Sequence, residues 1–87
     1  MAKSITENIL CPVETFLQRA RARAREVGAT FNEKDTTSGR FEVKGVVGEY
    51  RIDGQQITVT ILSWKLLLWF MVKAVVTREL RELGKVA

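Results

Sequence analysis

The sequence predicts an α+β domain of two layers, an antiparallel meander of three to five strands with two helices on one face, in the order β-α-β-β-β-β-α. Three observations carry this reading. Apolar residues recur at helical spacing from Pro12 to Val27, the period switches to two between Thr30 and Ile61, and helical spacing returns from Trp64. A sheet that alternates apolar and polar positions covers one face and leaves the other in water, so the helices belong on the apolar side.

Ser4 to Leu10 is a candidate strand, with Ile5 and Ile9 on one side of a polar stretch. Pro12 suits the first position of a helix, where its missing N–H costs no hydrogen bond, and Gly28 suits the position just past the end. Val13, Phe16, Leu17, Ala20, Ala24 and Val27 project within about 100° of arc, a stripe fit to be buried. Thr30 to Asp35 is a candidate short strand, followed by a turn over Thr36-Thr37-Ser38-Gly39. Arg40 to Lys44 alternates strictly and directs Phe41 and Val43 inward.

Asp53-Gly54 lies between two alternating runs and predicts a two-residue type I′ hairpin, whose central positions both need positive φ. That loop pairs Ile52 with Gln55, Tyr50 with Ile57, Gly48 with Val59 and Val46 with Ile61. One face then gathers Val46, Tyr50, Ile52, Ile57, Val59 and Ile61. The other carries Glu49, Arg51, Gln56, Thr58 and Thr60, with Val47 as the apolar exception. Ser63 is the expected N-cap of a second helix from about Trp64 to Leu83, stopped by Gly84, with Trp69, Val72, Val76, Leu80 and Leu83 as its core stripe.

Composition bounds the chemistry. The 87 residues are 46% apolar and 28% charged, and a chain of this length buries roughly 60% of its unfolded surface, enough for one core. A single domain with its ordered core over about residues 5–83 follows. There is no histidine, hence no histidine base or metal ligand, and the lone Cys11 has no partner for an internal disulfide. The start of the chain has no signal-peptide h-region, and the longest apolar run, Leu66 to Val72, is far short of the roughly 18 residues that span a bilayer. A cytoplasmic location is the default expectation, and no cofactor or metal site is predicted.

Net charge is +4, divided as 0 over residues 1–11, +2 over 12–28, −1 over 29–62 and +3 over 63–87. Arg19, Arg21, Arg23 and Arg25 invite a nucleic-acid reading, but Arg19 and Arg23 fall on one flank of the first helix and Arg21 and Arg25 on the opposite one. They bracket the buried stripe as solvated flanks rather than converging on phosphate. The open sheet face presents Arg40, Glu42, Lys44, Glu49, Arg51, Gln56, Thr58 and Thr60, with no aromatic platform for base stacking. Gly45-Val46-Val47-Gly48 matches a GxxG nucleotide clamp only in spelling, because it joins strands and not helices; a bend or bulge suits it better. Cys11 reads as a small packed residue, and no acid pair sits in an apolar setting, so no enzyme is expected.

The second helix carries more apolar surface than one core face needs. Trp64, Leu67, Leu68, Met71 and Val75 form a second stripe, centred about 100° from the first. Wider core burial, self-association, or docking on a lipid or other hydrophobic surface or partner protein would each cover it.

The run from Phe41-Glu42-Val43-Lys44-Gly45-Val46-Val47-Gly48-Glu49-Tyr50-Arg51-Ile52, through Ile57-Thr58-Val59-Thr60-Ile61, to a Leu-rich helix containing Thr77-Arg78-Glu79-Leu80 resembles the polyhydroxyalkanoic acid system family of small bacterial proteins. The resemblance extends over about residues 5–83 and departs where Cys11-Pro12 opens the first helix. It brings no catalytic residues and implies docking to a polyester granule or a granule-associated protein. Three functions are thus expected in order: an interaction module acting through the apolar second helix, a carrier with an apolar pocket between that helix and the sheet with Tyr50 as its polar handle, and a nucleic-acid binder using the arginine flanks.

Overall fold

Two X-Gly pairs and an Asx turn fold the middle of the chain back on itself three times. In the computed structural model, which describes residues 2–64 and 68–86, these turns join β2 (Thr30–Glu33), β3 (Ser38–Val43), β4 (Val46–Asp53) and β5 (Gln56–Ser63) into an antiparallel meander. The first strand, β1 (Lys3–Asn8), pairs with β5 and completes a sheet of order β1-β5-β4-β3-β2. Helix α1 (Val13–Val27) carries the chain from one edge strand to the other, and α2 (Trp69–Leu83) follows β5. The predicted class and element order hold.

The β2–β3 turn is closed by Asp35, whose Oδ1 accepts the Thr37 N–H at 2.8 Å and the Thr37 hydroxyl at 3.1 Å. These donors hold the Asp35 carboxyl below the ordinary carboxylate range. The β3–β4 turn is Lys44-Gly45, with φ of 49° and 82°. This is the hairpin with two positive-φ positions, the combination type I′ requires. Lys44, expected as an outward strand residue, is therefore a turn residue.

The β4–β5 hairpin turns one residue later than predicted. Its loop is Gly54-Gln55, Gly54 alone has positive φ (62°), and Asp53 pairs with Gln56. The observed pairs are Ile52 with Ile57, Tyr50 with Val59 and Gly48 with Ile61. Moving a two-residue loop by one position shifts the register by two, which keeps every side chain on its predicted face. Between Gly48–Ile61 and Val47–Ser63 the register breaks, leaving Leu62 as an extra residue. A bulge near Gly48 was expected. The glycine itself meets Phe41, because a Cβ there would lie 2.5 Å from the ring Cζ.

Ser63 does not cap a helix: it ends β5, and α2 begins only at Trp69, with Leu68 at the N-cap and no side-chain cap bond. The core gathers Ile5, Ile9, Phe16, Leu17 and Ala20 beneath the helices with Val46, Tyr50, Ile52, Ile57, Val59 and Ile61 of the sheet. Val72 and Leu80 close it from α2, and Trp69, Val76 and Leu83 are partly buried against it, as their spacing predicted. Cys11 is packed in this core, its Sγ 3.7 Å from the Leu83 carbonyl. The opposite sheet face is polar, with hydroxyl pairs Ser4–Thr60 and Thr6–Thr58 at 3.1 and 3.2 Å. Among the described residues no helix is long and apolar enough to cross a membrane.

Candidate functional site: an apolar groove under two helices

The two helices are tied to each other and to the sheet by hydrogen bonds and ion pairs. Arg19 donates to the carbonyls of Leu83 (3.0 Å) and Lys85 (2.9 Å), just where the last turn of α2 leaves acceptors unpaired. Arg21 forks onto Glu33 of β2 at 2.6 and 2.8 Å, and Arg23 onto Glu79 of α2 at 3.0 and 3.1 Å. Arg81 reaches Glu7 of β1 at 3.2 Å. The Arg21 fork holds the Glu33 carboxyl below its ordinary range. Three of the four arginines read as solvated flanks are thus ties within the fold. Arg25 makes no ion pair among the described residues.

Between these ties lies a groove of about 500 Å³, within the roughly 300–1,000 Å³ of small-molecule sites. Its floor is the sheet, with Phe31, Phe41 and Val46. Its walls are Ala20 and Ala24 of α1 on one side and Val72 and Val76 of α2 on the other. The space follows from side-chain size. Alanines, Ala20 and Ala24, occupy the α1 face above the sheet. The last part of the predicted α1 stripe lines this groove instead of entering the core, with Val27 37% exposed.

The second α2 stripe divides in three. Trp64 is partly buried, its ring 5.2 Å from that of Trp69, and precedes the helix. Leu67 lies outside the described residues. Leu68, Met71 and Val75 are 57%, 48% and 48% exposed, and Met71 and Val75 form part of the groove lining.

Tyr50, on the inward face its alternation predicted, is 5% exposed and is one of the groove's lining residues. Its ring stacks on Phe31 at 5.5 Å with 9° between planes and lies over Gly39, where a Cβ would come within 2.6 Å of the hydroxyl. The hydroxyl is buried without a hydrogen-bond partner among the described residues, and burial, with the Glu33 carboxylate next in effect, pushes its pKa up to about 12. Sequence reasoning missed the charged lining. Lys44, at the β3–β4 turn, and Arg78 join Arg23 and Glu79 around the groove. The Lys44-Gly45 pair between two alternating runs was the available signal for the first of these.

Among the described residues, no group of three or more cysteines and acids is placed to hold a metal ion. No protein-family model, no curated protein and no solved structure matches this chain.

Proposed function

We propose that this protein is a non-enzymatic binding module that holds a small apolar ligand in the groove between its two helices and the sheet. The observation that carries this is the groove itself: about 500 Å³ faced by Phe, Val and Ala side chains. Apolar surface of this extent in a small domain calls for an occupant, since burying it stabilises by roughly 25 cal/mol per Å².

The test is calorimetric titration with alkyl alcohols and carboxylates, on the native protein and on Ala24→Phe, which fills the groove from the α1 side. Saturable binding by the native protein and its loss in a folded Ala24→Phe variant is the expected result. Equal heats from both proteins would remove the groove as the site.

A second reading, self-association through α2, is favoured by the exposure of Leu68, Met71 and Val75 over the first two turns of the helix. It requires a mass above the monomer in light scattering across a tenfold range of concentration. Met71→Glu would then return the mass to the monomer with circular dichroism unchanged. A polyester granule, as the family resemblance implies, would meet the same residues.

A further inference from the structure

We infer that the groove's occupant is an anionic amphiphile, an aliphatic chain ending in a carboxylate, whose head is held by Lys44 and Arg78. The inference rests on reading the groove as a ligand site and adds the chemistry of the head group.

Charge complementarity is the first support. The ionisable side chains lining the groove are Arg23, Lys44, Arg78 and Glu79. Glu79 is committed to Arg23 through two hydrogen bonds, and that pair neutralises itself. Lys44 and Arg78 make no ion pair among the described residues, so the remaining charge on the lining is positive. Arg78 continues the Leu68, Met71, Val75 series at a spacing of three, on the same α2 face that borders the groove. A guanidinium there offers a planar fork that matches a carboxylate.

The backbone at Lys44 is the second support. It is the only non-glycine residue among those described with positive φ (49°), at a turn position that favours Asn, Asp or Gly. A lysine is a poor choice for the turn and supplies a cation to the lining of an apolar groove. Strained positions of this kind concentrate at ligand sites. Two other arginines of the helices are used elsewhere, Arg21 on Glu33 and Arg81 on Glu7, while Arg25, Lys73 and Glu42 do not line the groove.

The experiment compares dodecanoate with dodecanol, both below the concentration at which they aggregate, on the full chain and on Lys44→Asn and Arg78→Gln. Asn suits the turn, so Lys44→Asn is expected to melt no lower than the native protein, and Arg78→Gln changes an exposed helix position. Dodecanoate is expected to bind more tightly than dodecanol, with the preference falling as salt is raised. Each variant should weaken dodecanoate about two- to fivefold and leave dodecanol unchanged. Equal binding of the two ligands by all three proteins would overturn the anionic head while leaving the groove as an apolar site. Binding of neither would overturn the groove reading and this inference with it. Binding only to vesicles containing phosphatidylserine would assign the cations to a membrane surface and would also overturn it.

Discussion

At the residue scale, Tyr50 and Gly48 make the sharpest predictions. Burial without a partner raises the Tyr50 pKa to about 12, above the ordinary value of 10.0. The folded state therefore keeps the phenol proton after the unfolded chain has begun to lose it. The sign follows: Tyr50's contribution is fully present below pH 10 and is lost as pH rises toward 12. Tyr50→Phe should remove that part of the alkaline loss and, by deleting an unsatisfied buried hydroxyl, should match or exceed native stability at pH 7 by up to about 1–3 kcal/mol. Melting temperature against pH for both proteins checks this. At Gly48 an added methyl meets Phe41 at 2.5 and 2.8 Å. Gly48→Ala should cost about 1–3 kcal/mol in denaturant unfolding, and Phe41→Leu in the same chain should restore part of it.

The two X-Gly pairs also mark what was legible residue by residue. Asp53-Gly54 announced a hairpin, and the faces of β4 and β5 came out as predicted because a register shift of two preserves them. For the same reason, alternation had no power to choose between a loop at Asp53-Gly54 and one at Gly54-Gln55. The observed choice sets Ile52 across from Ile57, a pair of β-branched apolar side chains that Gln55 would not supply.

At the scale of elements, α1 was readable almost to the residue, because Pro12 and Gly28 bound a stripe of uniform phase. The start of α2 was not. Residues 64–72 are apolar in nearly every direction, so spacing gives them no phase, and Ser63 is taken by the ladder of β5. The result is a helix whose first turn has neither a capping side chain nor an acidic residue. Leu68, 57% exposed at the N-cap with extended backbone, is the place to repair it. Leu68→Asp should raise stability by about 0.5–2 kcal/mol, through a cap bond and a charge at the positive end of the helix dipole. Urea denaturation reads this directly, and a loss of stability would place Leu68 in apolar packing. The arginines give the opposite lesson. Their flanking positions were visible, but their partners Glu33 and Glu79 come from other elements, and only the folded topology brings them together.

At the scale of the whole molecule, the layers follow from periodicity, while the groove follows from what is missing between them. Alternation and helical stripes say which faces meet; they do not say how closely. Ala20 and Ala24 on α1 line the groove, yet small residues in a stripe equally permit tight packing. The ties at Arg19 and Arg23 join α1 to α2, and the one at Arg21 joins α1 to β2, so they fix how the layers meet. The Arg21 and Arg23 ion pairs are partly exposed, and pairs of that kind contribute modestly. A double-mutant cycle on Arg23 and Glu79 should therefore return a small coupling that shrinks with added salt.

The measurement that bears most directly on the groove is the melting temperature of the native chain against increasing dodecanoate and, separately, dodecanol. A ligand bound only by the folded state stabilises by about 2.7 kcal/mol at a hundred times its Kd, which for a domain this small is a rise of roughly 10–20 °C. A rise of that order, saturating in form and absent in Ala24→Phe, is the predicted result. A melting temperature unmoved by either series, or moved equally in the filled variant, would contradict the groove as a ligand site.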